Sequence, residues 1–507
     1  MIRFNLARNN HDPSEIDLSG SYLIGSEGVP LLAEVVLRES QLICNKRADG
    51  PAGIALLWDI HSCGSVMLET SRLMDREAAY HLPLELTRGR LMHIFQKRED
   101  WGLFDLEGSD TLDKLNAEVD NARDLFVEAL KADTIAHLTQ ISEKALKGAF
   151  VVGEKLSQFH AELLLAKRKQ IHAFHRRTIG VSADVANVSD KYRQLLGEHF
   201  DFVYLPMPWR LLEPSPRELN WSLFDGWIEW LTANRIPIKV GPLLSLSMAH
   251  MPDWLIAVGD DFEQVLKLTF EHLRRVIDRY SPYVLQWDVL SGIHAENPFN
   301  YSFEQIMELT RTTVSLVKQL APQSQTVVDL TAPWGEYFAR NPRTIPPMLY
   351  ADMVVQSGVG FDALGAQFVF GAPADGMYVR DMFQISERLD RLGNFGKPVH
   401  LTAVQVPSSQ EGEGVKAGGG AWWKPWSEAV QAKWLKEFYT LALSKPFIES
   451  VTWRDLVDRP QPGPITAGGL FNGHMRPKPA FKILQDIRGE VLSAIRKPPA
   501  RSVPERK

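Results

Sequence analysis

The stretch VLQWDVLSGIHAEN, residues 284–297, decides the fold. Its first seven residues are a short, mostly apolar run that ends at Ser291-Gly292, which reads as a strand. Seven more runs of this kind follow one another from about residue 178: TIGVSA, FDFVYLP, PIKVGPLL, QTVVDL, FDALGAQFVF, PVHLTAVQV and ESVTW. Amphipathic helical stretches separate most of them. Eight strands with intervening helices are what a closed parallel (β/α)8 barrel requires, because a parallel crossover usually needs a helix.

The remainder of the chain is organised differently. LLAEVVL, SQLIC, GIALLWD and SVMLE, between residues 31 and 69, are short strands punctuated by Gly, Pro, Asn and Asp. Pro83 sits where a first helical turn accepts it, with Leu84, Leu91, Ile94 and Phe95 on one helical face. From Leu112 the period is helical throughout: Leu115, Val119, Ala122, Phe126 and Ala129, then Leu138, Ile141, Leu156, Phe159 and Leu163. The expected organisation is a β-rich unit over 1–105, a helical connector over 106–172, the barrel over 173–490 and a basic, Pro-rich tail over 491–507. Long apolar stripes on the connector also suit contact with a partner or a second copy of the chain, so a homo-oligomer through the N-terminal unit and connector is an expectation.

Composition narrows the function. The 507 residues are 45% hydrophobic and 23% charged, ordinary for a globular protein. A net charge of -6 gives no field for gripping phosphates, so nucleic acid is not expected as a partner. Two cysteines, Cys44 and Cys63, make neither a disulfide framework nor a structural zinc site. No run reaches the roughly 18 apolar residues of a membrane span, and MIRFNLARNNHDPSEIDLSG lacks a signal-like apolar stretch. The expectations are a cytoplasmic protein without membrane contact, cofactor or metal: His250, His294 and His400 fall near strand ends but form no H-E-x-x-H or comparable pair. No G-x-S-x-G elbow is present either, which argues against acyl transfer.

Six segments, in order over some 300 residues, carry a resemblance: WRLLEPSPRELNWSLFDGWIEWLTANRIPIKVGPLL, MPDWL, LQWDVL, GAQF, PVHLTAVQV and MRPKPAFKIL. Together they resemble glycoside hydrolase family 10, the retaining endo-β-1,4-xylanases. The resemblance implies a barrel that hydrolyses xylan with two glutamates, one in W-D-V-x-N-E closing strand four and one in I-T-E-L-D on strand seven. A retaining mechanism needs carboxyls about 5 Å apart, one as nucleophile and one as acid then base.

This sequence departs from that pattern where it matters most. Trp287, Asp288, Val289 and Leu290 match W-D-V-x, which puts Ser291 at the Asn and Gly292 at the acid/base glutamate; Leu401 to Gln405 put Ala403 at the nucleophile. Neither glycine nor alanine attacks or transfers a proton. The sugar-gripping N-E-M-K-W reads Leu205, Pro206, Met207, Pro208 and Trp209, the G-H-T-L-V-W-H segment reads GPLLSLS, and Val369 stands where the family has a histidine.

Three function classes follow. In the first, a degenerate barrel binds a carbohydrate or glycan-like ligand at its mouth without hydrolysis, through Trp209, Gln367, Trp453 and the tryptophans of SSQEGEGVKAGGGAWWKPW, Trp422, Trp423 and Trp426, with Trp334 beside them. Indole faces stack on sugar rings, although the same rings also serve to pack a long loop over the barrel rim. In the second, relocated carboxylates hydrolyse a glycoside, Glu296 with Asp329 or Asp458 being the pairing to test; Asp184, Asp288 and Asp455 are the other strand-end acids. For Asp288 and Asp329 a scaffold role is the competing reading, and for Glu296 a solvated loop charge. In the third, the barrel mouth is vestigial and the N-terminal unit docks a partner.

Overall fold

Strands rich in Val, Ile and Leu that alternate with amphipathic helices bury both faces only when they close on themselves, and this chain does so. The computed structural model describes residues 1–6, 16–38, 40–106, 108–409, 418–459 and 463–495. Residues 410–417 of the strand-seven loop, its acidic part, and residues 496–507 of the expected basic tail lie outside the described residues.

The first strands are β1 (Ile2–Asn5), β2 (Tyr22–Ile24), β3 (Pro30–Leu31), β4 (Ala33–Arg38), β5 (Gln41–Lys46), β6 (Gly53–Ile60), β7 (Gly64–Glu69) and β8 (Tyr80–His81). They form one sheet of order β4-β5-β1-β8 and another containing β7-β6-β2-β3. Three helices follow, α1 (Leu82–Asp100), α2 (Asp110–Ala129) and α3 (Ile135–Gln170). Ser109 and Thr134 cap α2 and α3 by accepting from the N–H of Leu112 and His137. The periodic stripe read from the sequence is the packed face: Leu112, Leu115, Val119 and Ala122 of α2 meet Leu91 and Ile94 of α1 and Ala149, Val152 and Leu156 of α3.

The barrel is formed by β9 (Ile179–Ser182), β10 (Phe202–Pro206), β11 (Ile238–Gly241), β12 (Gln286–Ser291), β13 (Gln325–Leu330), β14 (Ala363–Val369), β15 (Val399–Gln405) and, after an extra short strand β16 (Ala421–Trp422), β17 (Ile448–Trp453). All eight barrel strands pair in parallel and in sequence, and β17 closes on β9. Each run expected to be a barrel strand is one.

The N-terminal half is built into the barrel rather than appended to it. β16, from the loop after strand seven, pairs antiparallel with β7 and so becomes the edge of the N-terminal sheet. This pairing needs Gly64, at φ +92°, because a Cβ there would lie 2.2 Å from the Ala421 carbonyl oxygen. Beneath the strand, Glu154 of α3 accepts hydrogen bonds from the Met382 N–H at 2.5 Å, the Trp422 indole at 3.1 Å and the Trp423 indole at 3.0 Å. Beside it, Arg90 of α1 makes a bidentate pair with Asp381 at 3.0 and 3.1 Å. Burial and the neighbouring Asp381 and Glu437 push the Glu154 carboxyl above the usual carboxylate range, although its donors oppose the shift.

Trp422 is fully buried in this junction. Trp422→Ala is expected to destabilise the protein by about 3–5 kcal/mol, read as a lowered midpoint in denaturant unfolding. The junction is also sensitive to pH. Burial pulls His93 down, but Glu387 of the barrel and Glu69 of β7, 3.1 and 3.3 Å away, outweigh it and lift the imidazole to about 9. A histidine raised in the folded state stabilises fully below its unfolded value, and that contribution is lost as the pH rises through the folded value. The thermal midpoint is therefore expected to fall between about pH 6.5 and pH 9, and His93→Gln to flatten that part of the profile.

Candidate functional site

A parallel barrel delivers the C-terminal ends of its strands to one mouth. Strand β12 ends at Ser291, and Gly292 follows with φ of +68°. An L side chain is strained in that region, and a Cβ there would lie 3.0 Å from Thr331 Oγ1 and 3.1 Å from its Cγ2. The Gly292 carbonyl accepts from the N–H groups of Ala295 and Glu296, both at 2.9 Å, so the chain turns tightly at this point. On β15, Ala403 pairs in register with Gln367 and packs, as Met377 does, against the apolar cluster of Val369, Ala372 and Ile465. Where the family pattern puts its two glutamates, the mouth has a tight turn and an apolar patch.

Between these positions Asp329 anchors a closed polar cluster. Its Oδ2 accepts from the Ser291 hydroxyl at 2.6 Å and the Gln367 amide at 2.6 Å, and its Oδ1 from the Thr402 hydroxyl at 2.5 Å. The carboxyl is buried, which pushes its pKa up, while these three donors pull it back. Asp288, one layer deeper, accepts from Tyr204 at 2.9 Å and is lifted well above the carboxylate range by burial and by the charge of Asp329. Both carboxyls are buried, and Asp288 Oδ1 has no hydrogen-bond partner.

A second cluster lies at the rim. Ser247, which occupies the place of a family histidine, contacts His250 Nδ1 at 2.6 Å and hydrogen-bonds Glu296, which is exposed. Burial and the nearby Arg454 lower His250 to about 4, so the imidazole is neutral. The network then runs from His250 Nδ1–H to the Ser247 oxygen and from the Ser247 hydroxyl to Glu296. Desolvation raises the Glu296 carboxyl, and Ser247 partly offsets the rise. Reading the histidine-to-serine change as a simple loss missed this cluster; the signal was the spacing of Ser247 and His250 three residues apart, just beyond strand three.

The remaining candidates are dispersed. Trp209 is 3% exposed, stacked on His272 at 4.1 Å, edge-on to Trp254, and bonded to Glu213 at 2.9 Å. Trp453 is fully buried and donates to the Gly468 carbonyl at 3.0 Å. Trp422 lies in the domain junction, Trp423 beside it keeps partial exposure, and Trp426 donates to Gly420 within its own loop. Trp334 packs edge-on against Phe368 and Phe370. The indoles of Trp209, Trp422 and Trp453 are buried, and each donates its N–H to an acceptor within the protein: Glu213, Glu154 and the Gly468 carbonyl. Asp458 is paired with Lys478 at 2.7 Å and accepts from the Gly469 N–H, Asp455 is paired with Arg459, and Asp184 caps its own turn at Ala186. Of the acids considered, Glu296 alone combines exposure with a raised carboxyl. Among the described residues, no group of three or more His, Cys, Asp or Glu is placed to hold a metal ion.

Residues 168–487 match the family model for glycosyl hydrolase family 10. The chain belongs to glycosyl hydrolase family 10. Curated relatives include an endo-1,4-beta-xylanase 5-like protein of Arabidopsis thaliana, 23% identical over 43% of this chain, and endo-1,4-beta-xylanase C of Paenibacillus barcinonensis, 21% identical over 59%. The matches span only 38% and 29% of those two proteins. Among solved structures, xylanase 10B from Thermotoga maritima aligns over 64% of this chain and 97% of its own, at 18% identity and a TM-score of 0.48. Within the family frame, the short WRLLEP helix and its Glu213 act as an internal strut: Glu213 also accepts the Arg217 N–H at 2.8 Å and lies 3.5 Å from His272.

The turn at Gly292 has a measurable cost of change. Gly292→Ala is expected to lower stability by about 1–2 kcal/mol, the strain of a left-handed L residue, with Thr331 forced to give way; calorimetric unfolding of the variant checks it.

Proposed function

We propose that this family 10 barrel has lost hydrolysis and holds an intact carbohydrate or glycan-like ligand at its mouth. The observation that carries the reading is the paired replacement at the reaction centre. Gly292 and Ala403 provide neither nucleophile nor proton donor, and Gly292 sits in a backbone conformation that resists a side chain. Asp329 is no substitute, since three donors occupy its oxygens and it is buried. Asp458 is held by Lys478. What remains at the solvent border suits recognition of hydroxyl groups: the amide oxygen of Gln367, a residue retained from the family pattern whose nitrogen is held by Asp329 and Ser291, together with Ser247, His250, Glu296 and Arg454. A site built to hydrogen-bond hydroxyls selects strongly for them, because its own polar groups are otherwise left unpaired.

One observation favours a second reading. The raised carboxyl of Glu296 is what a general acid needs, so hydrolysis through a relocated acid is the competing activity.

Native mass spectrometry of the protein with xylohexaose or cellohexaose over a day separates the two. The expected result is a stoichiometric complex with intact sugar, weakened about three- to tenfold by Gln367→Ala, the scale of one hydrogen bond. Shorter oligosaccharides that disappear in Glu296→Gln would overturn the non-hydrolytic reading. Absence of both complex and cleavage would remove the mouth as a sugar site.

A further inference from the structure

The opposite end of the barrel carries a feature that no property of the mouth explains. Lys239 is the second residue of β11, Gln286 and Gln325 begin β12 and β13, His400 is second in β15 and Ser450 third in β17. All five therefore lie at the N-terminal face. Side chains there normally close the barrel with apolar or neutral packing. Here a cavity of about 410 Å³ opens between Lys239, Gln286, Gln325, His400 and Glu449, with His175, Arg176 and Arg177 on its rim.

The groups in the floor determine one another's hydrogen-bond roles. His400 Nε2 meets Gln325 Oε1 at 3.0 Å and so carries the proton there, which makes Nδ1 the acceptor for the Ser450 hydroxyl at 2.7 Å. The Ser450 oxygen then accepts from Lys239 Nζ at 2.7 Å, a contact across the barrel interior because β11 and β17 are not neighbours. Lys239 is 3% exposed and rests over the Phe202 ring at 3.9 Å. Among the described residues no carboxylate comes within ion-pair distance of its amine. A buried ammonium with only a hydroxyl, an imidazole and a ring around it is an uncompensated charge, and such a charge beside a polar cavity calls for a counter-ion.

We propose that the N-terminal face of the barrel is a second ligand site, which takes a small oxyanion between the Lys239 amine and the guanidinium groups of Arg176 and Arg177. Three cationic side chains surround the cavity against the single carboxylate of Glu449, so an anion restores local balance. The site owes nothing to the mouth and stands whether or not the mouth binds sugar.

The site has a characteristic pH signature. Burial lowers Lys239 to about 7, with Glu449 opposing and Arg177 adding to the shift. The other groups facing it are His400, held well below the usual imidazole range by burial and by Lys239, His175, lowered by burial, and the charged side chains of Arg176, Arg177 and Glu449. An anion that needs the ammonium form must bring a proton with it above about pH 7, so its affinity falls by up to tenfold per pH unit there.

The test uses the full-length protein and sulfate, which does not titrate in this range, with acetate as a second arm and chloride at matched ionic strength as the control. Isothermal titration calorimetry is expected to show saturable sulfate binding at about pH 6 that weakens above about pH 7 with proton uptake. Lys239→Met, which keeps the stem and removes the amine, is expected to abolish it. Glu449→Gln, at the partly exposed rim, is expected to tighten it several-fold, and keeps the idea falsifiable if Lys239→Met fails to fold. Tighter binding of acetate than of sulfate would assign the site to carboxylates rather than to tetrahedral anions. Sulfate behaving as chloride does, binding unchanged in Lys239→Met, or no response to Glu449→Gln would each overturn the proposal.

Discussion

One buried carboxyl holds this molecule's two halves in register. Glu154 projects from the middle of a 36-residue helix into a space where a barrel-helix N–H and two indoles converge on it. Three donors on one acceptor in a dry environment is a demanding arrangement, since any donor left unpaired costs its full desolvation. That requirement fixes where α3 lies along the barrel, where the strand-seven loop travels and how β16 meets β7. The Arg90–Asp381 pair alongside performs the same task with full charges, and its bidentate geometry tolerates little sliding.

The extent to which the sequence disclosed this architecture follows from which interactions are local. The barrel strands were legible because parallel strands are covered on both faces and read as unbroken apolar runs; the connector was legible because Leu112, Leu115, Val119 and Ala122 repeat at the helical period. Gly292 and Ala403 were legible as departures because flanking motifs fix their register. The tryptophan loop was legible as unusual but not as to destination: the partner of Trp422 lies 268 residues away in sequence, and an indole gives the same signal whether it faces sugar or a buried glutamate. Trp209 and Trp453 have nearer acceptors, Glu213 and the Gly468 carbonyl, but their burial is set by packing that one sequence does not display. Lys239 was invisible, because a single lysine within PIKVGPLL looks like an outward-facing charge, and only barrel closure turns it inward.

The two ends of the barrel hold their buried polar groups in different ways. At the mouth, Asp329 is enclosed by hydroxyl and amide donors, the buried Asp288 beneath it accepts from Tyr204, and the Ala403 position is apolar. At the floor, the buried Lys239 amine is hydrogen-bonded to Ser450 at the border of a polar cavity. The cost of desolvating Lys239 is of the same kind as that which active sites bear to tune their acids and bases, here at the face that the fold usually reserves for stability.

The β16–β7 pairing has a consequence for how the chain can be divided. The strand that completes the N-terminal sheet is supplied by residues 421–422, some 400 residues after that sheet begins at Tyr22, so the gene segment for the barrel encodes part of its neighbour. A barrel cut free at its first strand would carry a homeless strand with unsatisfied backbone groups, and the excised N-terminal half would expose β7 as a new sticky edge. The halves therefore cannot be shuffled as modules in evolution or in the laboratory, and a relative that lacks the N-terminal sheet must route its strand-seven loop elsewhere.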